Sequence, residues 1–191
     1  MKQNINKLIE SIKKLSLSDT KKLVDLIEKQ NFTSIKLNKK SGIKRWLDLI
    51  GIENYTINDD LTVDVNGDVK LSNKYLDKIP VQFGIVKGHF FISNNEIEDL
   101  YGSPIECEIF NCDNNELINL EGSPKKCTSF NCANNDIVSL KGHPIECEKF
   151  YCLGNPHLTE EYLNDYDFSF VKQELFTDYG YTNLMKQRRL K

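Results

Sequence analysis

The feature that most constrains the fold is a 20-residue repeat in the second half of the chain. Aligning Cys107, Cys127 and Cys147 brings the phenylalanine, cysteine, asparagine, leucine, glycine and proline positions of successive units into register. One unit reads C-x-x-F-x-C-x-x-N-x-L-x-x-L-x-G-S-P. A unit this short cannot bury its apolar face alone, whereas stacked neighbours bury it for each other. The repeat therefore predicts a solenoid of stacked coils.

The order of residues within a unit predicts which side chains face the interior. Phe110 and Cys112 flank Asn111, and this spacing is typical of a short strand with the phenylalanine and cysteine inward and the asparagine outward. Asn115 is expected to end the strand and to bond backbone groups of adjacent coils. The leucines that follow are expected to fill the interior, and the Gly-Ser-Pro turn to close the coil.

Weaker copies of the unit extend upstream. Phe90, Ile92 and Asn95 form one copy, and residues 69–80 form a looser one. The predicted fold class is an α/β solenoid of the leucine-rich-repeat type, with about five coils and a parallel β-sheet on the order of 20 Å long. Its strands are expected near residues 69–71, 90–92, 110–112, 130–132 and 150–152.

Helical patterns precede the solenoid. Apolar residues at the spacing of a helix predict amphipathic helices over residues 3–15 and 18–30. A third short helix is expected to begin with Ser41 as its cap and to end at Gly51, with Trp46 as a core anchor. Residues 1–53 are therefore predicted to form a helical N-terminal cap.

The solenoid itself is assigned to residues 54–157. The stretch 54–71 alternates apolar and polar residues around Asn66-Gly67, which predicts a hairpin leading into the first coil. After the last coil, Thr159 is expected to start one helix and residues 170–176 to form another. Residues 158–191 are therefore predicted to form a helical C-terminal cap.

The repeat resembles the leucine-rich-repeat pattern L-x-x-L-x-L-x-x-N-x-L-x-x-L, with cysteine and phenylalanine at three leucine positions. The segment from Asn54 through Pro124 resembles short leucine-rich-repeat proteins of tailed phages and AT-rich bacteria. The matching text is NYTIN, then VDVNGDVKLSNKYLDKIPVQFG, then repeated L-x-G-S-P. The resemblance implies the leucine-rich-repeat fold and a phage origin, and it carries no assigned chemistry.

The six cysteines allow two interpretations. Stacked coils would bring Cys112, Cys132 and Cys152 into a ladder, which could form a metal or redox centre. Zinc sites, however, usually use C-x₂₋₄-C pairs folded by a turn, and a disulfide between in-register strands needs side chains that turn toward each other. Cysteine is also a small residue that is often buried. The favoured interpretation is six structural thiols and no bound metal or cofactor.

The histidines do not define a catalytic unit. His89, His143 and His157 have no carboxylate or cysteine at a catalytic spacing. His143 takes the serine position of the Gly-Ser-Pro turn, where it is expected to be exposed. Nucleophile motifs and phosphate-binding glycine-rich loops are absent from the sequence. These observations predict a protein that is not an enzyme, with a thiol or zinc enzyme as a further alternative.

The outward strand positions are the candidate binding surface, because solenoids use such extended faces to bind partners. The central column has an aromatic residue at each end and amides between, which suits a protein partner. The predicted partner-binding residues are Phe91, Asn111, Asn131, Tyr151, Ile109, Lys149, Asp113 and Leu153. The first hypothesis is a non-catalytic module that binds or inhibits a host protein, such as a defence component. The alternative is a virion-associated or self-assembling structural protein.

The distribution of charged and apolar residues limits the expected partners and the expected location of the protein. Residues 61–157 contain eight lysines against fourteen acidic residues, and this acidic balance disfavours nucleic acid as a partner. No apolar run reaches the roughly 18 residues that would suggest a membrane span. The first residues lack the apolar stretch and cleavage site of a secretory signal, so a cytoplasmic protein is expected.

Overall fold

The structure is a computed structural model that describes residues 37–183, together with Ser16. The chain divides into two units, Met1–Ile35 and Lys36–Lys191, and the elements below belong to the second. The helices predicted at 3–15 and 18–30 lie outside the described residues. The described elements are α1 (Lys40–Ile50), β1 (Tyr55–Ile57), β2 (Val63–Val65), β3 (Val69–Lys70), β4 (Phe83–Val86), β5 (Phe90–Phe91), β6 (Ile109–Asn111), β7 (Lys126–Asn131), β8 (Glu146–Tyr151), α2 (Glu160–Asp165), β9 (Val171–Thr177) and β10 (Gly180–Asn183).

The predicted solenoid is confirmed as a stack of about five parallel-stranded coils. Strands β3, β5, β6, β7 and β8 pair in parallel, and Phe90, Phe110, Phe130 and Phe150 are aligned from one coil to the next. Strand β9 adds a further parallel strand beside β8, and β10 pairs antiparallel with β9. Together they form one seven-stranded sheet, in the order β10-β9-β8-β7-β6-β5-β3.

A second sheet lies at the start of each coil and contains β1, β2 and β4. It continues into later coils through parallel bridges from Ile85 to Glu106 and from Glu106 to Lys126, and through the paired starts of β7 and β8. In β7, Cys127 and Phe130 both face the interior although they are three residues apart. Strict alternation would place them on opposite faces, so each long strand bends between these positions and passes from one sheet to the other.

The coil interior is filled by a column of stacked phenylalanines. The rings of Phe90, Phe110, Phe130 and Phe150 are fully buried. Successive ring centroids are 5.3–5.5 Å apart and the rings lie within 10° of parallel. Each ring therefore packs on both neighbours, as expected for inward positions of an in-register parallel sheet.

A ladder of buried asparagines joins the coils after each strand, as the sequence predicts. The Asn115 Nδ2 group donates to the carbonyl oxygens of Ile92 in the preceding coil, at 3.0 Å, and of Cys112 in its own coil, at 3.1 Å. Its Oδ1 accepts the N–H of Ile97. Asn135 and Asn155 repeat the arrangement. These amides satisfy backbone groups that the turn would otherwise bury unpaired.

The helix predicted over 170–176 is wrong, because this segment is β9. Its buried residues Val171 and Leu175 are four apart, which imitates helical spacing. The spacing arises from a register shift between Cys147 and Lys149, through which β9 gains one residue against β8. Pairing with the exposed edge of β8 therefore overrides the local pattern. Only the helix started by Thr159 is confirmed in this region: α2, whose Tyr162 N–H donates to the Thr159 hydroxyl.

Two smaller expectations near the N-terminal side also need correction. The hairpin within 54–71 is present, but β1 and β2 are joined by residues 58–62. Asn66-Gly67 instead joins β2 to β3, where the chain passes between the two sheets. Helix α1 ends at Gly51 as predicted and buries Trp46, yet Lys39 and not Ser41 is its N-cap residue.

Gly122→Ala is expected to lower the free energy of unfolding by about 3 kcal/mol, from backbone strain and close contact. Gly122 has φ +89°, and a Cβ there would lie 2.5 Å from the backbone of Leu100 and Tyr101 in the preceding coil. Gly180→Ala is the matched control, since φ is also positive there but no atom lies within 4 Å of the added Cβ. Urea denaturation measures both, and equal losses would contradict the role of close coil packing.

Candidate functional site

The outward residues of the seven-stranded sheet form three adjacent columns, as the parallel register requires. The central column places Phe91, Asn111, Asn131 and Tyr151 side by side. All four are half-buried, so their side chains present part of their surface to solvent. The structure therefore brings together the residues that the sequence singled out, and the partner-binding role of these residues stays a prediction.

The amides in the middle of the central column are oriented by their own strands. The Oδ1 atoms of Asn111 and Asn131 accept the backbone N–H groups of Asp113 and Ala133, at 3.2 and 3.1 Å. Within the described part of the chain, neither Nδ2 group has a hydrogen-bond partner. Each side chain is thus held in place on its acceptor side and retains its donors for another molecule.

Strand β9 extends this surface beyond the residues found by sequence reasoning. Tyr151 stacks on Phe176, with ring centroids 4.3 Å apart and 6° between the planes. In the neighbouring column, the Lys149 ammonium lies 3.0 Å from the Glu174 carboxylate. The aromatic end of the face is therefore a pair of rings beside an ion pair. Sequence analysis missed Phe176 and Glu174 because it assigned their segment to a helix.

The residues on either side of the central column differ in their burial and in their contacts. Ile109 is half-buried in β6, and Leu153 is exposed after the end of β8. The Asp113 carboxylate accepts a hydrogen bond from the Asn114 side chain at 2.6 Å. At the opposite end, the His89 ring lies 5.7 Å from that of Phe91. The resulting face has apolar and amide groups along its centre and both charged and apolar groups at its margins, and a centre without charged groups is common in protein-binding surfaces.

A concave crease runs beside this face, where the long strands bend from one sheet to the other. We define it by residues 85–87, 106–108, 126–128 and 146–148, which are equivalent positions of successive coils. The crease is open to solvent and has a volume of about 530 Å³. A further cavity of about 260 Å³, beside β1 and β2, shares Ile85 and Lys87 with it. The signal for the crease was present in the sequence, since C-x-x-F places two consecutive outward residues between two inward ones.

All six cysteines are buried and unbonded to each other. Cys107, Cys127 and Cys147 stand between the outward residues of the crease, and their side chains are buried in the interior. The thiols of Cys112 and Cys132 donate to the carbonyl oxygens of Asn131 and Tyr151 in the next coil, at 3.2 and 3.3 Å. Over residues 37–183 no cluster of three or more histidine, cysteine or acidic side chains is arranged to hold a metal ion. The contacts seen for these thiols are packing in the interior and the hydrogen bonds of Cys112 and Cys132.

Burial keeps the thiols protonated. It raises the pKa of Cys107, Cys147 and Cys152 to about 12, and it also raises the pKa of the other three cysteines above its ordinary value. Because the thiolate is the nucleophilic form, the folded protein offers poor thiol nucleophiles at neutral pH.

The raised thiol pKa values predict a loss of stability in alkali. As the pH rises above the ordinary thiol pKa of 9.0, the unfolded chain releases protons that the folded chain retains, so the free energy of unfolding falls from about pH 9 to 12. Below that range both states are protonated and the thiols add no slope. Urea midpoints between about pH 7 and 10.5 test this. Replacing Cys107, Cys127 and Cys147 with alanine should make the fall shallower, and an unchanged slope would contradict the argument.

The prediction that His143 is exposed needs correction. His143 is half-buried, not exposed, because its ring stacks on Phe170 with centroids 3.8 Å apart. Its Nδ1 atom lies 2.6 Å from the carbonyl oxygen of Pro144. His143 therefore packs the last Gly-x-Pro turn against the segment that leads into β9.

No protein-family model, curated protein or solved structure matches the chain significantly. Within the described residues, no helix is both long and apolar enough to cross a membrane.

Proposed function

We propose that the protein is a non-catalytic module of the leucine-rich-repeat type, which binds another protein on the outward face of its seven-stranded sheet. In this proposal it is phage-encoded, acts in the bacterial cytoplasm without a cofactor, and binds or inhibits a host protein such as a defence component. The phage origin rests on the resemblance of the repeat and of the segment Asn54–Pro124.

The observation that carries the proposal is the continuous central column. It begins at Phe91, continues through two amides whose Nδ2 groups are available, and ends at the stacked rings of Tyr151 and Phe176. Large aromatic residues dominate the energetics of many protein interfaces, and amides provide hydrogen bonds without the cost of burying a charge. The paired strands fix the backbone of the column, so no backbone ordering is needed when a partner binds.

The leucine-rich-repeat assignment is supported by the order of features within one coil. A short parallel strand is followed by the asparagine ladder, then by buried leucines such as Leu117 and Leu120, and then by the turn at Gly122. This order agrees with the repeat pattern L-x-x-L-x-L-x-x-N-x-L-x-x-L.

The test is affinity capture from a lysate of the bacterial host, comparing the wild type with Phe91→Ala/Tyr151→Ala. We expect one partner in a stoichiometric amount with the wild type and at least about a tenfold loss in the double variant, as for two interface anchors. Ile118→Ala/Val138→Ala is the matched control, because both side chains are exposed and apolar but lie outside the strands. Equal capture by the wild type and the Phe91/Tyr151 variant would overturn the assignment of the face.

A second candidate is a virion-associated or self-assembling structural protein. The observation in its favour is a set of exposed aliphatic side chains off the binding face: Ile118 and Val138 are 54% and 53% exposed, and Ile145 is 71% exposed. Such residues on successive coils could pack against another copy. Light scattering coupled to size exclusion, together with a search for the protein in purified phage particles, separates the two candidates. A monomer that is absent from the particles supports the binding module.

A further inference from the structure

The crease faces solvent with more negative than positive charge. Glutamates occur at 106, 108, 146 and 148, and lysines at 87 and 126. Among the described residues, Glu106, Glu146 and Glu148 have no cation within 4 Å, and Glu108 is 3.6 Å from a nitrogen of His89. The carboxylates therefore remain available to a positively charged group of another molecule.

The direction in which the crease runs suits an extended occupant. Equivalent positions of consecutive coils line it, so it runs along the stacking direction, and it is continuous with the cavity beside β1 and β2 through Ile85 and Lys87. A single extended chain can follow the stack in this direction and place successive side chains against successive coils.

The spacing of the carboxylates sets a period for the occupant. Glu106 and Glu146 lie two coils apart at equivalent positions, as do Glu108 and Glu148. Strands about 4.8 Å apart place the members of each pair roughly 9.6 Å from each other. Three residues of polyproline II helix advance about 9.3 Å and return to the same face. Basic residues three positions apart in such a segment would meet both members of a pair.

We propose that the crease binds an extended segment of the partner protein in which arginine or lysine recurs every third residue. The inference rests on the proposed function and names the chemistry of the partner. Aromatic contacts on the sheet face and ion pairs in the adjoining crease would then form one interface. Lys126, which stands between Glu106 and Glu146 in register, limits how strongly the crease attracts this segment.

The experiment measures fluorescence anisotropy with labelled peptides RPPRPPR and EPPEPPE at low ionic strength. We expect the arginine peptide to bind and the glutamate peptide not to bind. Glu106→Gln/Glu146→Gln should weaken binding at least about tenfold, and Lys126→Gln should strengthen it several-fold, since ion pairs at a partly shielded surface respond to such charge changes. Binding should also weaken as salt is raised to about 0.5 M.

The control is Glu98→Gln/Glu116→Gln, which removes the same charge from exposed positions outside the crease. Equal effects of the two double variants, binding of both peptides, or failure of the arginine peptide to bind the wild type would each overturn the inference. Its failure is distinct from failure of the proposed function. If the Phe91/Tyr151 variant still loses the captured partner while the arginine peptide does not bind, the face stands and only the crease assignment falls.

Discussion

Replacing Asn135 with aspartate is expected to lower the free energy of unfolding by about 3 kcal/mol or more, the cost of unpairing buried groups and burying a charge. The Asn135 Nδ2 group donates to the carbonyl oxygens of Cys112, Cys132 and Ala133, each at 3.1 Å. An ionised aspartate has no donor and would place an anionic oxygen against these carbonyls. Because Asn135 is only 4% exposed, water cannot easily replace the lost bonds.

The measurement is urea denaturation followed by circular dichroism, with Asn119→Asp as the matched control. Asn119 is half-buried and uses its Oδ1 atom to accept the N–H of Glu121, a role that a carboxylate also fills. We expect this control to change the free energy of unfolding by less than about 0.5 kcal/mol. Similar losses in the two variants would show that the amide donors of the ladder do not hold the coils together.

Phe130→Ala is expected to destabilise the protein by about 3–5 kcal/mol, the usual cost of removing a buried aromatic side chain. The Phe130 ring is fully buried between those of Phe110 and Phe150, with centroids 5.3 and 5.5 Å away. Its removal leaves a cavity in the middle of the stack that neither neighbour can fill, because each is held by its own strand. This is a large share of the 5–15 kcal/mol that stabilises a typical domain.

Phe91→Ala is the control, since Phe91 is half-buried and lies on the opposite face of its strand from Phe90. We expect it to cost less than half as much as Phe130→Ala in the same denaturation experiment. A loss from Phe91→Ala as large as that from Phe130→Ala would mean that the outward column supports the fold, and Phe91 could then not serve as a separable binding residue.

The repeat made most of the solenoid predictable. Once Cys107, Cys127 and Cys147 are aligned, the parallel register, the inward phenylalanines and the asparagine ladder all follow from the two-residue period of a strand and from the need to pair backbone groups. The outward column followed as well, because it consists of the residues between two inward ones. For these features local pattern and tertiary structure agree, which is why sequence reasoning succeeded.

The parts that escaped prediction depend on contacts between elements that are not repeats of each other. Strand β9 has no equivalent in the 20-residue unit, and its bulge against β8 gives it the apolar spacing of a helix. The turn between β1 and β2 was misplaced because Asn66-Gly67 is a strong local turn signal that here links two sheets. The crease depends on the bend of β7 and β8. The only sign of this bend in the sequence is that two consecutive outward residues separate the inward cysteine from the inward phenylalanine.

Site-specific photo-crosslinking shows whether the outward column of the seven-stranded sheet contacts the partner. A benzophenone amino acid would be placed at Phe91, Asn131 or Tyr151, and at Ile118 as a position outside the strands. We expect the three column positions to yield an adduct with the same partner protein and position 118 to yield none. Adducts from position 118, together with none from the column, would contradict the proposed contact.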